Sequence, residues 1–467
     1  MTRREALKTL AAGSFAARAA AQTRQDRPPN LVWIMADDLG YGHLGCYGQK
    51  KIRTPNIDRL AAEGMKFTDA YAGCTVCAPS RSTLMTGLHT GHAPVRANSG
   101  GVPLRPQDAT VAEVLKQAGY ATGCFGKWGL GALGTDGVPT RQGFDEFFGY
   151  LHQIHAHFYY PEYLVHNEEI FPLEGNFGGK REQYSHDLIA ERALDFVRAH
   201  RDEPFFLYAP FTIPHAETLV PEDSLAEYAG QFPENPFDGG ERKHYSAQPQ
   251  PNAAFAGMVT RMDRDVGRLL ALLDELGLAE NTVVFFTSDN GSIEGFNIDD
   301  SIFRGSGPLR GYKRDLYEGG IRTPMLARWP GRIEPGATSD LPWAFWDALP
   351  TLAELAGAQP PEGLDGISVV PTLTGSGDQR LHDYLYWENP QGGGLAQAVR
   401  RQKWKAIRLP GRTLELYDLA EDPAETRDLV ADRRQVAEKL AALMDEAHTP
   451  PPPQPEPGWN PPAELAG

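Results

Sequence analysis

Leu31-Val32-Trp33-Ile34-Met35 is an unbroken apolar run of strand length, and Phe205-Phe206-Leu207-Tyr208 and Thr282-Val283-Val284-Phe285-Phe286 repeat the device. An alternating strand shields one face. A continuous run predicts a strand buried on both faces, as in a parallel sheet. Between these runs the period lengthens. Phe255, Met258, Val259, Met262, Val266, Leu269, Leu270 and Leu273 recur at the spacing of one long helix. Leu188, Ile189, Phe196 and Val197 share the face of another, with Ser185 as its expected cap. Thr110-Val111-Ala112-Glu113 is a capping box and opens a helix that ends at Gly119. Buried strands alternating with amphipathic helices predict an α/β fold, a mostly parallel central sheet between helical layers.

After about Gly375 the pattern changes. Tyr384–Glu388, Ala396–Leu409 and Leu414–Leu419 read as short strands, with turns at Gly392-Gly393-Gly394 and Pro410-Gly411. A last helix carries Val436, Leu440 and Leu443. This predicts a main domain over 28–375 and a small C-terminal α+β subdomain with an antiparallel sheet over 376–449. Residues 450–467 form a proline-rich tail.

The net charge of −16 excludes a nucleic-acid partner, which calls for a basic face. It does not exclude an anionic substrate, because a local cationic pocket binds one whatever the total. Arg3-Arg4, a weakly apolar run and Ala19-Ala20-Ala21 before Gln22 look like a bacterial twin-arginine signal over 1–21. A periplasmic or secreted protein is the expectation. No other segment is apolar for long enough to span a membrane.

Candidate chemistry gathers at strand ends. Asp37-Asp38 follows the first buried run and Asp289-Asn290 follows the third, with Gly40 and Gly291 just beyond. Neighbouring side chains on a strand point to opposite faces, so both members of a pair face one site only where the chain turns. Ligands of open parallel sheets sit beyond the carboxyl ends of the strands. Four oxygen donors there suit a hard cation, Ca²⁺ rather than zinc. Each pair alone also reads as a turn or a helix cap. Cys77-Ala78-Pro79-Ser80-Arg81, then Leu84 and Gly87, predicts a short helix over 79–86, with Cys77 just before its anion-attracting N-terminus. Cys74 and Cys77 also form a C-x-x-C pair, but the chain's four cysteines include no second one.

Cys77 to Gly87 closely resembles the C-x-P-S-R-x-x-L-x-T-G signature of the formylglycine-dependent sulfatases. The resemblance implies the alkaline-phosphatase-like three-layer sandwich, and conversion of Cys77 to formylglycine by a maturation enzyme. The hydrated aldehyde would attack the sulfur of a sulfate ester. It implies Ca²⁺ bound by Asp37, Asp38, Asp289, Asn290 and residue 77. Arg81, Lys127 in Gly126-Lys127-Trp128-Gly129-Leu130-Gly131, and Lys313 before Glu318-Gly319-Gly320 match the family's cations. His215 matches its histidine near the leaving group. The chain departs from the pattern at Gly129, where many sulfatases have a histidine of the nucleophile's hydrogen-bond network. The segment Gln153-Ile154-His155-Ala156-His157-Phe158-Tyr159-Tyr160 is the candidate substitute, with His155 and His157 on a stretch read as extended; a carbohydrate-binding aromatic loop and plain packing are the competing readings. His89, His92 and Arg96 are candidates for the substrate entrance. Aromatic residues at Trp128, Tyr159, Tyr160 and Trp387 suit a sulfated carbohydrate. The alternatives are a phosphonate monoester or phosphodiester hydrolase, and a non-catalytic glycan-binding or C-x-x-C redox protein.

Overall fold

A computed structural model of the chain describes residues 27–98, 102–239 and 245–453. The expected signal over 1–21 and most of the proline-rich tail lie outside the described residues. Ten strands form the central sheet. Their order is Ala337–Ser339, Met65–Phe67, Met325–Arg328, Thr282–Ser288, Asn30–Ala36, Phe205–Pro210, Ala121–Lys127, Glu146–Tyr150, Tyr163–His166 and Glu169–Pro172. The five from Thr282–Ser288 to Glu146–Tyr150 run parallel. Antiparallel strands flank them on both sides.

The continuous apolar runs divide between two cores. Val32, Ile34, Val284, Phe286 and Leu207 face one layer, with helices Pro55–Ala62, Ser185–Ala199 and Pro251–Glu275. Leu31, Trp33, Met35, Val283, Phe285 and Phe206 face the other, with helices Cys77–Thr86, Val111–Gln117 and Ala348–Ala356. Trp33 stacks on Phe285 with ring centroids 4.9 Å apart. Each fully buried large apolar side chain contributes roughly 1.5–3 kcal/mol, so the two-sided burial fixes the sheet between its layers.

The capping box forms as read: Thr110 accepts from the Glu113 N–H, and the Glu113 carboxylate accepts from the Thr110 N–H. Ser185 is not a cap. It is the first helical residue, after Tyr184, and its hydroxyl is buried without a partner. The expected strand over 396–409 is two, Gly394–Arg401 and Trp404–Arg408, because Gln402 turns the chain at φ 55°. With Leu385–Gln391 and Glu415–Asp418 they form an antiparallel four-stranded sheet, backed by helix Arg434–Ala447.

This sheet is tied to the larger one by buried charge. Lys405 Nζ lies 2.8 Å from Glu318 and 2.9 Å from Glu425. Trp387 donates its indole N–H to the Ala72 carbonyl at 2.9 Å, just ahead of helix Cys77–Thr86. Among the described residues no helix is long and apolar enough to cross a membrane.

Candidate active site

Strand Asn30–Ala36 pairs with Thr282–Ser288 so that Ala36 stands opposite Ser288. Asp37-Asp38 and Asp289-Asn290 therefore leave the sheet side by side at its carboxyl edge. Asp38 has φ 63°, a left-handed conformation uncommon outside glycine, and this is the turn that lets adjacent acids face one place. The turn is pinned. Asp289 Oδ1 accepts from the Asp38 N–H at 3.1 Å, and Ser288 Oγ accepts from the Leu39 N–H at 2.8 Å. Asn290 Nδ2 donates to Asp38 Oδ1 at 2.7 Å, whereas Asn290 Oδ1 is buried with no partner.

Helix Cys77–Thr86 starts two residues earlier than expected, so Cys77 is its first residue. The first bond of the helix runs from the Ser80 N–H to the Val76 carbonyl. Proline at 79 lies ahead of that bond and costs the helix nothing. Gly87, at φ 70°, closes the helix onto Thr83. Cys77 Sγ lies 3.4 Å from Asp37 Oδ1 and 3.4 Å from Lys313 Nζ. Burial, with Asp289 and Asp37 beside it, pushes this thiol well above its ordinary range. As an unmodified thiol it is a poor nucleophile, because the thiolate is the reactive form.

Three cations close the site. Arg81 donates from Nε and Nη2 to Asp289 Oδ2, at 3.1 and 2.7 Å, and from Nη1 to the Lys127 carbonyl. Lys127 Nζ donates to Asp37 Oδ2 at 2.7 Å, and Lys313 Nζ to Asp38 Oδ2 at 2.8 Å. Burial resists ionisation of Asp37, but Lys127, with Arg81 and Lys313, overcomes it and holds the carboxyl far below its usual range. Burial and Asp37 push the Asp289 carboxyl the other way, up from its usual range, against the pull of Arg81. His215 Nε2 lies 3.4 Å from Asp38 Oδ2, and its Nδ1 is buried without a partner. Burial, with Lys313 next, drives its pKa well below the ordinary value, so the ring is a neutral imidazole.

Asp37, Asp38, Cys77 and Asp289 each offer a ligand atom, all within 4.8 Å of one another. The orphaned carbonyl of Asn290 adds an acceptor with no donor. Oxygen donors of this kind fit a hard divalent cation.

The sulfatase family model matches residues 29–358, and the C-terminal model of N-sulphoglucosamine sulphohydrolase matches 311–449. The chain belongs to the sulfatase family. Its members are sulfuric ester hydrolases. Human arylsulfatase A is 35% identical over 86% of this chain and 84% of its own. Mouse steryl-sulfatase is 32% identical over 82% and 70%. Among solved structures, Ps i-CgsB in complex with k-i-k-neocarrahexaose superposes with a TM-score of 0.77, at 28% identity, over 90% of this chain and 92% of that one.

In this sulfatase the structure brings Asp37, Asp38, Cys77, Arg81, Lys127, His215, Asp289, Asn290 and Lys313 together. The remaining expectations divide. His157 reaches the site, its ring stacked on His215 at 4.5 Å. His155 does not: residues 155–157 form a 3₁₀ turn rather than an extended segment, so the two rings diverge. His155 stacks on Tyr163 at 4.2 Å and meets Tyr150 edge-on, as a packing residue. Neither histidine fills the space beside Gly129; the Gln153 amide does, 2.5 Å from where a Cβ would stand. Arg96 is buried and spends its guanidinium on the Ala93 carbonyl, Glu388 and Thr449, tying down the C-terminal sheet rather than binding substrate. His89 and His92 stack on each other and face Asp365. All four cysteines are free thiols, and Cys74 Sγ points to the Glu388 carbonyl, which leaves the C-x-x-C pair unjoined.

The sequence gives no sign of the parts that Gln153 and Tyr159 play in building the site. The Tyr159 hydroxyl donates to the carbonyls of Thr212, at 2.8 Å, and His215, at 3.2 Å, holding the His215 turn in place. Both residues sit in an irregular stretch with no period to flag them. The aromatic run there was noticed, but as a sugar surface.

Proposed function

We propose that this protein hydrolyses sulfate monoesters of a sulfated carbohydrate, using formylglycine at position 77 and Ca²⁺. The observation that carries the reading is the closed set of Asp37, Asp38, Cys77 and Asp289, with Arg81, Lys127 and Lys313 each bonded to one of the acids. When present, the oxidised residue supplies a hydrated aldehyde nucleophile, and the cation supplies positive charge facing the sulfate oxygens.

The chain's own residues do the rest. Asp37, Asp38, Asp289 and the free Asn290 carbonyl would hold the cation. Lys127 and Lys313 present ammonium groups to the anionic ester, in a site dry enough to strengthen each contact. Arg81 positions Asp289 and holds the Lys127 backbone. Lys313, 3.4 Å from the sulfur of residue 77, is placed to steady charge on the nucleophile. His215, with Nδ1 unspent, would take up a proton once the anionic ester binds beside it and give that proton to the departing sugar oxygen.

The carbohydrate reading is supported by relatives named N-acetylgalactosamine-6-sulfatase, such as the dog protein at 33% identity, and by the k-i-k-neocarrahexaose named with the structural neighbour. The Arg3-Arg4 leader supports an exported enzyme. The test is co-expression with a formylglycine-generating enzyme, then a screen of sulfated mono- and disaccharides beside matched aryl sulfate and aryl phosphonate esters. Release of sulfate by wild type and not by Cys77→Ala is expected. Preference for the phosphonate, or full activity in Cys77→Ala, refutes the reading.

A further inference from the structure

Gln153 is 3% exposed, and among the described residues neither its Oε1 nor its Nε2 has a hydrogen-bond partner. A buried amide left unsatisfied is costly, and such groups in native proteins call for an explanation. This one lies over Gly129, with Nε2 2.5 Å from an ideal Cβ there and Cδ 3.1 Å away. Gly129 has φ 80° and stands two residues past Lys127, whose ammonium group holds Asp37.

The loop carrying Gln153 is fastened to the site at both ends. At one end the N–H groups of Trp128 and Gly129 donate to the carbonyls of Tyr150 and Leu151, at 2.8 and 3.1 Å. At the other, His157 stacks on His215 and Tyr159 bonds the carbonyls of the His215 turn. The loop therefore bridges the Lys127 side of the site and the leaving-group side. Its one unspent amide enters through the gap that a glycine at 129 leaves open.

We propose that Gln153 is a further substrate-binding residue: its Nε2 donates a hydrogen bond to an oxygen of the bound sulfate ester beside Lys127. The inference rests on the sulfatase reading of the site. The amide stays unpartnered until the ester arrives, which explains why a group with two donors and an acceptor is buried with none of them used. Glycine is required at 129 because any side chain would occupy the amide's place.

Kinetics of the mature enzyme on an aryl sulfate, with inorganic sulfate as competing inhibitor, decide the matter. Wild-type turnover is the control for the sulfatase reading itself; its absence refutes that reading, and with it this one. In an active enzyme, Gln153→Met keeps the shape and removes the polar atoms. The expected result is a thermal midpoint equal to or above wild type, kcat/KM lower by roughly 10- to 100-fold, as for loss of a hydrogen bond to a charged group, and weaker inhibition by sulfate. Unchanged kcat/KM and unchanged sulfate inhibition overturn the proposal, because the amide is then a filler. Should Gln153→Met fail to fold, Gln153→Ala with Gly129→Asn replaces it. Asparagine tolerates positive φ and brings an amide into the same volume from the opposite side. Recovery of at least about tenfold over Gln153→Ala alone supports the proposal. A folded double variant with no recovery overturns it.

Discussion

Asp289→Asn is the substitution that most directly tests the charge arrangement of the site. The change keeps the side chain's shape and removes one negative charge. In the native site Oδ2 accepts two bonds from Arg81, at 3.1 and 2.7 Å, and Oδ1 accepts the Asp38 N–H at 3.1 Å. An asparagine has only one acceptor atom. If its oxygen faces Arg81, its NH₂ meets the Asp38 N–H donor to donor, and a buried N–H is orphaned at about 1–3 kcal/mol. The lost charge adds nothing to this cost, because burial and Asp37 already disfavour the ionised carboxyl in the fold. The expected loss is therefore about 1–3 kcal/mol. Denaturant unfolding in the presence of chelator should show that loss without any contribution from bound metal. Calcium titration of the refolded variant should show affinity lower by at least about 100-fold, since a divalent cation would lose one of its three carboxylates. An unfolding free energy within 1 kcal/mol of wild type, as a rough limit on surface-like effects, together with unchanged calcium affinity, would refute both the buried pair and the metal assignment.

Peptide mass spectrometry after co-expression with the maturation enzyme should find an aldehyde at residue 77 and an intact thiol at Cys74, which is buried against the Glu388 carbonyl; modification at 74 would place the nucleophile wrongly. His215→Ala should lower kcat about 100-fold or more on sulfated sugars but less than about tenfold on activated aryl sulfates, because proton transfer to the leaving oxygen contributes roughly 10²–10⁴ only where that oxygen is basic; equal losses remove His215 from that role. Burial opposes ionisation of Glu318, but Lys405, Arg322 and Arg400 outweigh it and hold its carboxyl down at about 2, against 4.5 in the open chain. The stability this adds is complete above about pH 4.5 and is lost as pH falls toward 2. Glu425, on the same lysine, is pushed the other way by burial, to about 7, and so titrates outside that window. Thermal midpoints of wild type should therefore fall from pH 4.5 to 2 more steeply than those of Glu318→Gln; parallel curves would show that the Lys405 cluster does not depend on that charge.

Strands and long helices were legible because their residues do one thing. Leu31 to Met35 have no role but burial on two faces, and the helix from Pro251 to Glu275 has no role but to cover one of them. Local patterns therefore agree with the fold. The acidic pairs at Asp37 and Asp289 were legible for a related reason, since a strand end in a parallel sheet is a fixed location. What escaped was set by contacts between distant segments. The sequence 152–158 does not show that Gln153 would fill the gap at Gly129, or that His155 would turn to Tyr163. Arg96 read as a spare cation because its partners, Glu388 and Thr449, lie 292 and 353 residues further on. Ala396 to Leu409 read as one strand because Gln402 carries no turn signature, yet it adopts φ 55° there.

The charges of the site explain how a chain with a net charge of −16 holds an anionic ester. Asp37, Asp38 and Asp289 are matched one for one by Lys127, Lys313 and Arg81, each pair within 2.7 Å and all six side chains no more than 5% exposed. The protein's own groups thus sum to zero. Buried at this density, such pairs are held by geometry rather than by net attraction, since desolvation offsets most of their Coulomb energy. Their arrangement is directional all the same: acids at the strand ends, ammonium groups above them. A divalent cation among the acids would turn the sum to two positive charges in a space shut off from water, where screening by the acidic surface is weak. A sulfate monoester would then meet a cationic pocket, whatever the total charge of the molecule, and its single negative charge would leave one positive charge over. On this account the cation and the ester bind cooperatively. Calcium should tighten inhibition by inorganic sulfate, and sulfate should tighten calcium by the same factor. No coupling would mean that the acids and ammonium groups do not form a single electrostatic unit.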